Sequence, residues 1–152
     1  MYFDSHAHLD YEDIKGADFE ETVKAIEGSD VDYVMDIGVD LATSQRAAEN
    51  AAKYPWCYAA IGYHPHEANE MGDVELEMIR ALAKKPKVMA IGEIGLDFHY
   101  EYSPKDIQRD VFRRQIDLAN QLKMPIVIHS READQEVMDI LRSEEHTSEL
   151  QS

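Results

Sequence analysis

Cysteine is nearly absent from this 152-residue chain: Cys57 stands alone, so no internal disulfide framework holds the fold. A chain built that way suits a reducing compartment. Cations are scarce too. Fifteen Lys and Arg face 31 Asp and Glu, a formal net charge of −16, which argues against a domain that grips nucleic acid through a broad basic surface. Phosphate held through bound cations stays possible, because metal ions are charges the count omits. Long apolar runs are missing as well. None approaches the ~20 residues of a membrane span. Asp4 interrupts the N-terminal stretch before a basic-then-apolar leader can form. The expectation is a soluble cytoplasmic protein of a single domain, with no membrane contact and no stable protein partner implied. With 44% hydrophobic and 30% charged residues, it has an ordinary globular composition and the length to bury a real core.

A two-beat pattern fills the chain. "MYFDSHAHL" reads as a strand. In "DFEETVKAIEGSD", Phe19, Val23 and Ile26 fall at i, i+4 and i+7, a helical stripe. "VDYVMDIGV" is a second strand and "DLATSQRAAENAAKY" an alanine-rich helix; "WCYAAIGYHPH" is a third strand running into a turn at Pro65. "DVELEMIRALAKK" turns Leu76, Ile79 and Leu82 inward, and "KVMAIGEIGLD" is a fourth strand. The next helix is expected to have Ser103 as N-cap and Pro104 at its first position. Asp106 then suits the dipole, and Ile107, Val111, Leu118 and Leu122 lie along one face. "MPIVIHS" is a fifth strand, followed by a helix burying Ala133, Val137, Ile140 and Leu141.

Strict βα alternation with short loops predicts an α/β fold of parallel strands with right-handed crossovers. An open doubly wound sheet and a (β/α)8 TIM-type barrel both satisfy it. The glycine fingerprint of a dinucleotide-binding turn is absent after the first strand, and the polar surprises sit at the C-terminal ends of strands, where barrels build their sites. The barrel is therefore expected, with about five of its eight units present.

His6 and His8 lie two apart in a strand and so point to one face. Taken alone, such a pair is as often a polar surface as a metal site. Glu93 stands in "AIGEIGLD" where an apolar strand would carry another valine, and a buried carboxylate needs a cationic partner. Gly92 and Gly95 beside it allow another backbone or a ligand to come close. His129 ends the apolar run "PIVIHSR"; a lone histidine there is more often a satisfied core residue. Together, three histidines and a glutamate at one end of parallel strands make a donor set for divalent ions such as Zn, Mn or Mg. Glu93 is expected to bridge an ion on His6 and His8 and another on His129, and two such ions suit phosphodiester displacement. His64 and His66 flank Pro65, as polar turn residues or as groups that donate to substrate and move protons. Asp97 would orient a ligand or cap the loop. Arg131 would grip phosphate or dock on the next helix. The aromatics of "DFHYEY" are expected to pack the loop rather than stack on bases, with Tyr100 close to the site.

"FDSHAHLD", "GYHPH", "GEIGLDFHY" and "PIVIHSREA", in this order and spacing, resemble the TatD family of metal-dependent deoxyribonucleases, over residues 1 to about 141. The resemblance implies an amidohydrolase-like barrel that cleaves DNA phosphodiesters with two divalent ions. It implies His6 and His8 on one ion, His129 on the other and Glu93 between them, with His64 and Arg131 near the substrate phosphate. From the residues themselves, Glu93 and His64 are the expected catalytic groups, and His66, Asp97 and Tyr100 are expected to join His64 and Arg131 around the substrate. Two further family ligands, a later histidine and a later aspartate, have no counterpart here. After Leu141 the chain reads "RSEEHTSELQS", which abandons the apolar stripe and resembles a translated library adapter. Residues 1–141 are thus expected to be the N-terminal part of the hydrolase domain and 142–152 a non-native tail, with His146 no ligand. Such a chain is expected to be poorly stable, to bind metal weakly and to turn over slowly. Competing readings are a related barrel hydrolase of C–N, lactone or phosphotriester bonds, and a non-catalytic barrel scaffold.

Overall fold

Short β-branched and aromatic runs alternate with amphipathic stripes, and each becomes its own element in the computed structural model, which describes residues 1–9 and 17–151. The order is β1 (Phe3–Ala7), α1 (Ala17–Glu27), β2 (Tyr33–Ile37), α2 (Leu41–Lys53), β3 (Cys57–Ile61), a 3-10 helix (Pro65–Glu70), α3 (Asp73–Leu82), β4 (Val88–Asp97), α4 (Lys105–Leu122), β5 (Ile126–Arg131) and α5 (Asp134–Gln151). Asp10 of the first motif, the His146 side chain and Ser152 lie outside the described residues.

All neighbouring strands pair in parallel, in the order β1-β2-β3-β4-β5. A doubly wound sheet reverses direction at a switch point; here each strand adds to the same side as the last, the progression of a (β/α) barrel. The result is a five-stranded, curled half-barrel. β4 is covered along nearly its whole length. β1 and β5 are its edges, so Phe3 and Ile128 stay exposed although their strands read as apolar. No helix among the described residues is long and apolar enough to cross a membrane.

The helices bury the stripes read from sequence: Val23 on α1, Ile79 on α3, Val111 and Leu118 on α4, Val137 and Ile140 on α5. Each such side chain contributes about 1.5–3 kcal/mol when fully buried. Alanines 47, 48 and 51 let α2 lie close on the sheet, and its start is capped by Asp40, whose carboxylate accepts from the Thr43 N–H at 2.8 Å. α4 does something its pattern conceals. Gln108 and Gln115, seven residues apart, are fully buried. Gln115 accepts from the Tyr63 N–H (2.7 Å) and donates to its carbonyl (3.1 Å). Gln108 does the same for Asp97, at 2.9 and 3.0 Å. Two amides thus satisfy the N–H and C=O of Tyr63, just past β3, and of Asp97, at the end of β4.

Ser103 is not the cap of α4. Pro104 takes that place, with an extended ψ of 147°, and the Ser103 hydroxyl ties the loop to the 3-10 helix, accepting from the Asn69 N–H and donating to the His66 carbonyl, both at 3.0 Å. Gly95 has φ +148°, and a Cβ there would collide with the His129 carbonyl. The close backbone approach expected at this glycine is what lets β5 bring His129 against β4. The segment after Leu141 continues α5 to Gln151, and Arg113 reaches Glu144 at 3.2 Å.

Candidate metal centre

The carboxylate of Glu93 sits among imidazoles, because the curl of the sheet brings the end of β1 to one side of it and β5 pairs with β4 on the other. One oxygen, Oε2, lies 3.5 Å from His6 Nε2 and 3.4 Å from His8 Nε2. The other, Oε1, lies 3.4 Å from His129 Nδ1. These separations are long for hydrogen bonds but match the edge of a tetrahedron of ligands on a divalent ion, about 3.4 Å for bonds of ~2.0–2.1 Å. Two donor sets result, His6–His8–Glu93 and His64–Glu93–His129, with ligand atoms within 4.8 Å of one another in each. Glu93 belongs to both. The donors fit a divalent ion at either set.

The outer nitrogens are committed, which decides which inner ones are free. His8 Nδ1 lies 2.8 Å from the Ile37 carbonyl, which can only accept, so Nδ1 carries the proton and Nε2 turns a lone pair toward Glu93 in the neutral ring. Asp97 Oδ2 lies 2.9 Å from His129 Nε2 and 2.9 Å from His66 Nε2. A fully buried carboxylate therefore takes protons from both rings and leaves His129 Nδ1 as the inward lone pair. Its other oxygen accepts from the His99 and Tyr100 N–H groups at 3.0 and 3.1 Å. Both roles read for Asp97, orienting a ligand and capping the loop, are present together. His64 differs: its Nδ1 accepts from the His66 N–H at 3.1 Å, so a neutral ring carries its proton on Nε2.

Charges follow this layout. The close Glu93 carboxylate favours the protonated ring and raises the pKa of His8 against the opposing effect of burial, and does the same for His129, where Asp97 adds to it. Burial pushes Glu93 up, but His129 and His8 outweigh it and hold the carboxyl well below the usual range. Asp97 ends at about 2 for similar reasons: burial raises it, while the Tyr100 N–H, His129 and His66 lower it further. His64 falls to about 4, mainly through burial and then through the nearby His129 charge. It is a neutral imidazole at neutral pH.

The other expected site residues are sorted by this geometry. His66 is drawn to Asp97, not Glu93. Arg131 ends β5 and lies over the Tyr100 ring, its guanidinium carbon 5.0 Å from the centroid; it docks on an aromatic instead of a helix. Of the loop aromatics, Phe98 packs against the core as expected, whereas Tyr100 and Tyr102 are 43% and 65% exposed, the buried polar anchors on either side closing the loop without them. One contributor was missed. Asp36, buried in β2, accepts from the Leu9 N–H at 3.0 Å and from Asn50 at 3.0 Å, fixing the chain just after His8. A carboxylate inside the apolar strand "YVMDIGV" was its signal, the same one that marked Glu93.

A family model described as TatD related DNase matches residues 3–150. The chain is 44% identical over 144 residues to an uncharacterized metal-dependent hydrolase, YabD, of Bacillus subtilis, a match covering 95% of this chain and 56% of that protein. It is 36% identical over 124 residues to the 3'-5' ssDNA/RNA exonuclease TatD of Cronobacter turicensis, covering 82% and 47%. Among solved structures, the TatD homolog YJJV of Escherichia coli superposes with a TM-score of 0.84 at 24% identity, covering 94% of this chain and 56% of that one. A TatD family hydrolase of Entamoeba histolytica gives 0.85 at 22%, covering 95% and 55%. The chain spans about half the length of these relatives. It belongs to the TatD-related DNase family.

Proposed function

We propose that this chain, as a member of that family, forms the N-terminal units of a two-metal phosphodiesterase acting on DNA. Residues 1–141 make up its share of the hydrolase domain, and 142–152 are foreign to it. The observation that carries the reading is the division of Glu93, one oxygen facing His6 and His8 and the other facing His129. A bridging carboxylate needs that arrangement, whereas a structural ion pair needs only one partner. His6 and His8 would hold one divalent ion, His129 the second, and Glu93 both. Bound there, the ions supply an activated water and neutralise charge on the phosphate.

The chain's own groups do the rest. Asp97 keeps the proton of His129 on Nε2, which reserves Nδ1 for a ligand. His64, neutral and protonated on Nε2 while Nδ1 is occupied, donates a hydrogen bond to a phosphate oxygen. His66, Tyr100 and Arg131 line the approach for the strand. The acidic net charge of −16 makes the ions, not a basic surface, the main phosphate anchor. The setting is cytoplasmic and no stable protein partner is needed.

The test is hydrolysis of a labelled oligodeoxynucleotide by the full-length protein from the source gene, with chelator, Mg, Mn or Zn. Cleavage that appears with metal and disappears in Glu93→Gln supports the reading. Metal-independent cleavage, or hydrolysis confined to amides, lactones or phosphotriesters, defeats it. Sequencing the source DNA past the Leu141 codon tests the tail: a genuine stop after Ser152 would make the last eleven residues native.

A further inference from the structure

The loop from 98 to 104 is anchored at both ends by buried polar groups. At one end Asp97 accepts from the His99 and Tyr100 N–H groups. At the other, buried Ser103 bonds Asn69 and His66, and Gln108 donates to the Ser103 carbonyl at 2.8 Å. Between these anchors Tyr100 and Tyr102 turn outward. Their rings stack on each other, 5.6 Å between centroids and 22° between planes. His66 meets both edge-on, at 6.2 and 5.0 Å, and Arg131 lies over Tyr100. A loop needing only closure would turn its rings inward; this one is closed by amides, a hydroxyl and a carboxylate, and holds two rings in water in a fixed stack.

We propose that the Tyr100–Tyr102 stack, with Arg131 beside it, is the seat of an unpaired nucleobase of the substrate strand, next to the histidine–carboxylate cluster. This rests on the phosphodiesterase reading above. Three observations select a base as occupant. The stack is joined to the cluster by direct contacts, from Tyr102 to His66, from His66 to Asp97 at 2.9 Å, and from Asp97 to His129 at 2.9 Å. A strand whose phosphate lies at Glu93 therefore has a nucleotide within reach of the rings. Second, a chain of net charge −16 gains little from phosphate contacts away from bound ions, whereas stacking is independent of net charge and tolerant of sequence. Third, the stack presents an exposed phenol ring at Tyr102 with a guanidinium close by, over Tyr100, and both groups attract a π-system. The base must be unpaired, since in a duplex both of its faces are covered.

The experiment pairs a variant with a missing base. Single-stranded octanucleotides carrying one abasic residue, placed at each position in turn, are cleaved by the full-length metal-loaded protein and by Tyr102→Leu. Tyr102→Leu is expected to raise KM on the intact strand roughly ten- to a hundredfold, the range for losing one base–aromatic stack. At one abasic position the parent loses the same factor, and there the two losses are redundant rather than multiplicative. Tyr102→Phe restores the parent's KM. If the losses multiply at every position, or KM stays within twofold, the stacking site is refuted while the nuclease reading survives. If no phosphodiester is cleaved, that reading falls, and the stack is judged by 2-aminopurine in the same strands. Quenching that is lost in Tyr102→Leu upholds it, and equal fluorescence with both proteins overturns it.

Discussion

Replacing Asp97 with asparagine changes one atom and should still cost the metal centre most of its grip. The parent carboxylate has two jobs on separate oxygens: Oδ1 accepts from the His99 and Tyr100 N–H groups, and Oδ2 takes the Nε2 protons of His66 and His129. Asparagine keeps only one acceptor oxygen. If that oxygen stays with the two backbone groups, the amide NH2 faces both imidazoles, and His129 must accept at Nε2. Its proton then moves to Nδ1, the atom 3.4 Å from Glu93 that would bind an ion. Losing an outer partner of a ligating histidine typically weakens metal affinity 10- to 100-fold, about 1.4–2.7 kcal/mol. Titration calorimetry of the chain with Mn or Zn measures it, and nitrogen chemical shifts of His129 report the tautomer. Affinity within twofold of the parent, or a tautomer that does not move, would refute the argument that Asp97 sets the ligand atom.

Other outcomes follow from the same geometry. Glu93→Gln removes the group that most strongly raises His8 and His129, so both imidazole pKa values should fall in an NMR titration of the metal-free chain; unchanged values would mean the contacts are incidental. His64 is depressed from 6.5 to about 4, so the folded state binds its proton less readily than the unfolded chain does. Its contribution is present above the unfolded pKa and is lost as pH falls from 6.5 toward 4, with a slope of up to one proton, ~1.4 kcal/mol per pH unit. Denaturation of the metal-free chain across that window should show a component of this slope that His64→Asn removes. Gln115→Leu strands the buried N–H and C=O of Tyr63 and should cost roughly 2–6 kcal/mol at about 1–3 per unpaired group, read as a lower denaturation midpoint. Gly95→Ala drives a Cβ into the His129 carbonyl and should destabilise by about 1–3 kcal/mol, the range for forced overpacking; an unaltered melt would show that β4 and β5 separate easily.

Much of this molecule was legible without coordinates, for reasons that can be named. The five strands and five helices could be read because each repeats its apolar residues at its own period, and parallel βα order leaves few topologies. His6, His8, Glu93 and His129 stood out because each is a polar residue at the end of, or inside, an apolar run. Asp36 gave the same signal within β2 and was passed over, since a single acid in a strand does not say what it faces. The mistaken N-cap at Ser103 had a local cause: serine before proline favours a cap wherever nothing else competes, and here the 3-10 helix competes for the hydroxyl.

What sequence determined by itself was therefore the set of donors and the frame that carries them, because residue type and period are local properties. Only the tertiary structure decided how the donors are divided: which oxygen of Glu93 faces which histidine, that Asp97 joins His66 to His129, and that two glutamines on α4 fasten the ends of β3 and β4. It also decided that Tyr100 and Tyr102 face outward. Most of these depend on groups from different elements meeting within about 3.5 Å, and on which of several acceptors wins a given proton. Periodicity along a chain carries no record of that competition, which is settled only when the strands are side by side.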